Sequence, residues 1–417
     1  MSDESRRSEP RDLGGRRAVV AGGGIGGAAC ALLLARAGAR VTLLERVAEP
    51  KAAAAGGILL QPNGLAVLYG LGLEAALRAR GSELTATAVL DAKGRTIRRT
   101  LTPDYGVGLD HLLMLRRSDL LAALFDAIAA EPAIDARFGA EVFDATAGAE
   151  LTYRYGDMTE TIAADLLVGA DGARSVVRKR AGIRARVTEG SWYVRGESPA
   201  TEHGAAEFSE RWTGIGALGV GPMTDATYFY ASVTAPGVRR AVATRDLAAF
   251  RAAWQRALPA AERVLAGVGR FEELLVEQAL RVDCEAFVSG RVALVGDAAH
   301  AMAPGIGQGA NSALVDAAVL AHELTRHDDV AGALRAYDAR RRPAVRTVQD
   351  RSARAGRYAE MRHPAARAVR DAATRLAGRF GRAERASRAA QQEDPASLLR
   401  LVREIQHARD GRLDPVR

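Results

Sequence analysis

Three short segments carry residue types that could cradle one anionic, redox-active ligand: Gly22-Gly23-Gly24-Ile25-Gly26-Gly27, Gly169-Ala170-Asp171-Gly172 and Gly296-Asp297-Ala298-Ala299-His300. In the first, Gly22, Gly24 and Gly27 lack side chains. Backbone can therefore approach a diphosphate closely, and the helix that follows can pack against the strand before it. The start of that helix adds free N–H donors for phosphate oxygens. Glu45 lies about twenty residues further on, where a carboxylate accepts hydrogen bonds from an unphosphorylated adenosine ribose. On these residues alone the ligand is NAD as easily as FAD.

The elements that must position this chemistry are legible around it. Residues 17–21 read as an apolar strand, 25–37 as a helix, and 40–44 as a second strand ending in Glu45. The runs 166–168 and 291–295 read as further buried strands, which puts Asp171 and Asp297 at carboxyl ends, the usual ligand edge of an open α/β sheet. Asp171 or Ser175 could equally cap a short helix. The glycine-rich stretch 303–311 feeds a helix predicted over 312–324, whose first amides could face an electron-rich ring edge.

Segments 84–90 and 95–101 predict a hairpin turning at Asp91-Ala92-Lys93-Gly94. A helix is expected after Ser118 or Asp119 as its cap, with Arg117 just before it. Between about 186 and 280 the pattern turns to β-strands and collects aromatics. Residues 365–379 and 397–409 read as arginine-rich helices broken at Arg362-His363-Pro364 and at 391–395. They carry no chemical motif, and a solvated or docking face is the plain reading.

The 417 residues, 48% hydrophobic and 26% charged, describe an ordinary globular chain of two or three domains. The net charge of +8 is almost all arginine and is interleaved with acids, without an aromatic-basic constellation, so nucleic-acid binding is not expected. Cys30 and Cys284 are too few for a disulfide framework or a zinc cluster, no metal site is read, and a reducing cytoplasm is expected. The uncharged stretch 18–35 mimics a membrane span, but five glycines in six residues contradict one. Residues 1–14 read as a disordered tail. His203, His322 and His327 read as solvated and His111 as a surface residue, while His300 is more a structural or ring-edge contact than a general base.

Taken together, the three motifs resemble the class A FAD-dependent aromatic hydroxylases, the p-hydroxybenzoate hydroxylase-like flavoprotein monooxygenases, over about residues 16–355. The resemblance implies an α/β fold: a Rossmann-like FAD-binding domain from 15–75, 102–185 and 281–345, an inserted antiparallel β-sheet substrate domain from 76–101 and 186–280, and C-terminal helices over 346–417. It implies that Gly22, Gly24 and Gly27 hold the FAD diphosphate, and that Glu45 holds the ribose with Arg46 nearby. Arg117 would meet the middle of the cofactor, Asp171 both FAD and the nicotinamide nucleotide, and Asp297 the ribityl chain. Pro304, Gly305, Gly307, Gly309 and Asn311 would line the isoalloxazine, with the 305–311 backbone supplying electrostatic stabilisation rather than any essential side chain.

The implied reaction is a monooxygenation in which NAD(P)H reduces FAD, O₂ adds at flavin C4a, and the hydroperoxide passes its distal oxygen to an electron-rich aromatic or polyketide-like small molecule. Arg195, Trp212 and Tyr228 are the candidate substrate contacts, each as open to a packing role. A monomer or homodimer is expected. A reductase or dehydrogenase of the same fold remains open, as does a nucleotide-binding protein without chemistry. A halogenase fits less well, because its Trp-x-Trp-x-Ile-Pro element is missing and Lys51, Lys93 and Lys179 are not obviously placed to carry halogen.

Overall fold

The computed structural model describes residues 10–49, 56–199, 207–378 and 382–410. His203 and residues 1–9 of the expected tail lie outside them. Residues 10–14 of that tail are docked: Leu13 is buried, and its N–H donates to Ala37 O at 2.8 Å.

Five parallel strands form the nucleus of a six-stranded sheet, in the order Val292–Leu294, Leu166–Gly169, Arg17–Ala21, Arg40–Glu45, Ile134–Phe138, with Val288–Ser289 antiparallel at the edge. Leu44, Ala21, Gly169 and Leu294 fall on one cross-strand row. The chain therefore leaves all four strands along one edge, and the three motifs emerge side by side. The helix Ile25–Arg36 is buried almost all round, between this sheet and the long helix Gly309–Arg326, which accounts for its uninterrupted apolar sequence.

A seven-stranded sheet forms the second layer, ordered Leu275–Cys284, Ala185–Pro199, Ala226–Ser232, Ala217–Pro222, Glu207–Trp212, Ala86–Asp91, Thr96–Leu101. It is antiparallel except where Glu207–Trp212 runs parallel to Ala86–Asp91. The predicted hairpin is its far edge, with a bulge between Val89 and Leu90. Helices Pro364–Gly378 and Arg382–Ala390 pack on that edge, and Pro395–Asp410 packs on Pro62–Gly70.

Three local expectations are corrected. The helix read as capped by Ser118 or Asp119 begins two or three residues earlier, with Arg117 as its first residue and Arg116 as its N-cap. His111 is buried, because Tyr69, 42 residues away, brings its hydroxyl to Nε2 at 2.9 Å. His322 is half-buried, and that burial, aided by Arg326 and Arg340, pushes its imidazole down to about 4. No helix among the described residues is long and apolar enough to cross a membrane.

Candidate functional site

The glycine turn shows why its residue types are needed. Gly22 sits at φ +108°, and a Cβ there would overlap the carbonyl of Ala170, while one on Gly27 would overlap the carbonyl of Gly22. A Cβ on Gly24 would meet nothing within 4 Å, so this position faces open space at the start of a helix that no side chain caps. Glu45 closes the turn from the neighbouring strand: Gly23 N–H donates to Oε2 at 2.6 Å and Val47 N–H to Oε1 at 2.8 Å.

Ser175 caps the helix Val176–Arg180, its Oγ accepting from Arg178 N at 2.9 Å, and Asp171 supports that cap. Its carboxylate accepts from Ser175 Oγ at 2.5 Å, Val176 N at 2.6 Å and Val177 N at 3.1 Å, holding the helix Val176–Arg180 against the turn. Arg178 then reaches the third motif, donating to Ala298 O at 2.6 Å from a buried guanidinium. Sequence reading missed this arginine, since nothing local distinguishes it from Lys179 and Arg180. Asp297 is exposed at the first position of the four-residue helix Asp297–His300. His300 is buried in a structural role, with Nε2 2.5 Å from Asp316 Oδ2.

The loop after His300 is pinned from beneath. Gln349 Nε2 donates to Ala301 O at 3.1 Å, Ser352 Oγ to Ala303 O at 2.6 Å, and Gln61 Nε2 to Ile306 O at 2.8 Å. Asn311, expected at the ring, is instead buried behind the loop: its side chain accepts from Gln61 N and donates to Leu59 O and Gly307 O. Gly309 opens the 18-residue helix, whose first amides have no side-chain cap.

One cavity of about 2090 Å³ joins these parts. Gly22, Gly24, Gly27, Glu45, Arg46, Arg117, Asp171, Asp297, Pro304, Gly305, Gly307 and Gly309 all line it, as do Arg195, Trp212 and Tyr228 across the second sheet. A drug-sized ligand fills roughly 300–1,000 Å³, so this space takes a dinucleotide with a second molecule beside it. The lining fits FAD: an uncapped helix start with an open Gly24 beside it, a carboxylate at the end of the neighbouring strand, and a second uncapped helix start behind the Pro304–Gly307 loop.

The far wall holds residues that sequence reading passed over. Glu210 accepts from both Trp212 Nε1 and Tyr230 Oη. Burial first, and then Glu210, push the Tyr230 phenol well above its ordinary range. Arg195 pairs with Glu277 at 3.1 Å. The helix 364–378, read as a solvated or docking face, and the helix 382–390, not read from the sequence, present Ala366, Ala373, Ala383 and Ala386 to the cavity. Arg370 holds the first of them down, with its guanidinium 4.5 Å from the Trp212 ring centroid. Gln391 and Gln392, read as a break, tie the chain to the helices Pro62–Gly70 and Val330–Ala359: Gln391 Oε1 accepts from Asn63 N, and Gln392 Oε1 from Arg341 Nη2.

Known proteins place this geometry. The family described as "FAD binding domain" matches residues 16–352. Kynurenine 3-monooxygenase of Salinispora arenicola is 32% identical over 360 residues, covering 81% of this chain and 78% of that protein. Aurachin C monooxygenase/isomerase of Stigmatella aurantiaca is 30% identical over 333 residues, covering 78% and 85%. A solved structure of a 2-methyl-3-hydroxypyridine-5-carboxylic acid oxygenase variant superposes with a TM-score of 0.75 at 28% identity, covering 92% of this chain and 98% of that one. With FAD-type motifs converging on one cavity and relatives that are monooxygenases along most of its length, the chain belongs to the FAD-dependent aromatic hydroxylases, the class A flavoprotein monooxygenases.

Proposed function

We propose that this protein uses NADH or NADPH and O₂ to hydroxylate an aromatic or polyketide-like small molecule, with FAD lying along the cavity from the glycine turn to the second sheet. The observation that carries the reading is the continuity of that cavity, from Gly24 and Glu45 past Asp297 and Pro304 to Trp212 and Tyr228. Bound there, FAD reduced by a nicotinamide nucleotide supplies the activation of molecular oxygen.

The chain's own residues do the rest. Gly22–Gly27 and the first amides of Ile25–Arg36 hold the diphosphate, Glu45 and Arg46 the adenosine end, Arg117 the middle, and Asp297 the ribityl chain. The Pro304–Gly307 backbone and the start of Gly309–Arg326 aim positive dipole ends at the ring edge, where negative charge develops during turnover. Trp212, Tyr228 and Phe208, together with the alanine faces of the two C-terminal helices, exclude water and orient the target ring. No side chain acts as nucleophile.

The test is direct. Purified protein is yellow, and a phenolic or aminoaromatic substrate accelerates NAD(P)H oxidation with one oxygenated product formed per nicotinamide consumed. Oxidation of NAD(P)H without any oxygenated product, across a broad aromatic panel, would leave a reductase instead.

A further inference from the structure

The register of the seven-stranded sheet aligns one row of residues across it. Arg98 pairs with Val89, Val89 with Glu210, Glu210 with Gly219, Gly219 with Tyr230, and Tyr230 with Arg195. Directly opposed residues point to the same face of a sheet, and Arg98, Val89, Glu210, Tyr230 and Arg195 all line the cavity. The row therefore presents a cation, a small apolar floor, an anion and a phenol in sequence.

Two of its members are unfilled. Arg195 is balanced by Glu277, but the Arg98 guanidinium makes no hydrogen bond or ion pair among the described residues. Arg98 is exposed to the cavity, and Glu210 is the charge that acts on it. Glu210 uses one lone pair of each oxygen, Oε1 for Trp212 and Oε2 for Tyr230. A carboxylate has about four such sites, so each oxygen keeps one for a ligand. With Val89 between them, Glu210 and Arg98 stand two strand spacings apart, roughly 10 Å at the backbone. At the backbone, that gap is about the length of a substituted benzene ring.

We propose that Glu210 and Arg98 set substrate specificity by holding the two ends of an amphoteric aromatic: an amino or ring N–H group on Glu210 and a carboxylate on Arg98, with the ring over Val89. The inference rests on the flavin hydroxylase reading above and adds the chemical class of the substrate. Trp212 and Tyr230 orient Glu210 and are positioning residues, whereas Glu210 and Arg98 touch the ligand.

Binding of 2-, 3- and 4-aminobenzoate, benzoate and aniline to the FAD-loaded protein, measured by titration calorimetry, tests it. Charge-assisted hydrogen bonds predict that at least one aminobenzoate binds about 10-fold or more tightly than both benzoate and aniline. Arg98→Met removes the advantage over aniline and Glu210→Gln the advantage over benzoate, each leaving the other preference in place. No preference for any aminobenzoate in the wild type, or an equal loss for every probe in both variants, overturns the proposal. Flavin content is read in the same samples: a colourless wild type overturns the flavin reading, whereas a yellow one without preference overturns only this inference.

Discussion

His300 Nε2 and Asp316 Oδ2 lie 2.5 Å apart inside the protein, and the same oxygen accepts the Gly296 N–H at 2.9 Å, while Arg341 Nε donates to Oδ1 at 2.8 Å. One buried carboxylate thus ties the short helix bearing Asp297 to the long helix behind the cavity. Removing it leaves Arg341 as an uncompensated buried charge. Asp316→Ala is expected to cost about 3–5 kcal/mol, read as a lowered urea midpoint at unchanged slope. It should also lower flavin retention, because Gly296 loses its anchor.

The same group sets an acid limit. Burial alone would raise the Asp316 carboxyl, but His300 and Arg341 outweigh it and hold it down at about 2 against an ordinary 3.8. A depressed carboxyl contributes stability that is whole above the unfolded value and is lost as pH falls through the folded one. Its share, about 2 kcal/mol, is therefore constant at neutral pH and disappears between about pH 4 and pH 2. Comparing urea midpoints of wild type and Asp316→Asn at pH 7 and pH 3 checks the sign: the gap between them should narrow at pH 3.

Gly24 and Gly27 separate binding from folding. Gly27→Ala drives a methyl into a backbone carbonyl and should lower the melting temperature of the flavin-free protein. Gly24→Ala has open space and should leave that melting temperature unchanged, yet weaken FAD by filling the place of the diphosphate. Flavin affinity equal to wild type in Gly24→Ala would rule out that placement.

Glu45→Ala and Asp297→Ala should each lower the flavin-to-protein absorbance ratio, since both line the dinucleotide end of the cavity. Trp212→Ala should instead change turnover with flavin content nearly intact, because it removes the ring under Arg370 at the opposite end. Equal flavin occupancy in all three variants would count against the assignment.

The C-terminal helices form a wall, so their small residues are a measure of room. Ala373→Phe and Ala386→Phe are expected to raise KM several-fold for bulky substrates while sparing small ones and leaving FAD bound. Steady-state kinetics on substrates of graded size would expose a wall that is somewhere else, since KM would then not move.

Much of this was legible in the chain because its signals are local. The strands Arg17–Ala21 and Arg40–Glu45 are apolar runs closed by glycines or an acid, and they sit where their sequences placed them. What was not legible depends on pairings between distant segments. Glu210 and Arg98 look like ordinary strand charges until the register sets them in one row. Asn311 looked like a ring contact because it follows a glycine-rich loop, but Leu59 and Gln61, some 250 residues away, claim its amide. The helices 364–378 and 382–390 carry alternating arginine and alanine, a pattern shared by any solvated helix, and only the cavity beside them shows that the alanines have a task.

The parallel seam between Ala86–Asp91 and Glu207–Trp212 has a consequence for biosynthesis. The early hairpin leaves the ribosome with an unpaired border and must wait for a strand made after most of the dinucleotide-binding half has been translated. Loop closure over that distance is slow, and an idle strand border recruits neighbours. Nascent chains stalled before residue 207 should therefore be the species most prone to clump, and chaperone demand should fall sharply once that strand has emerged.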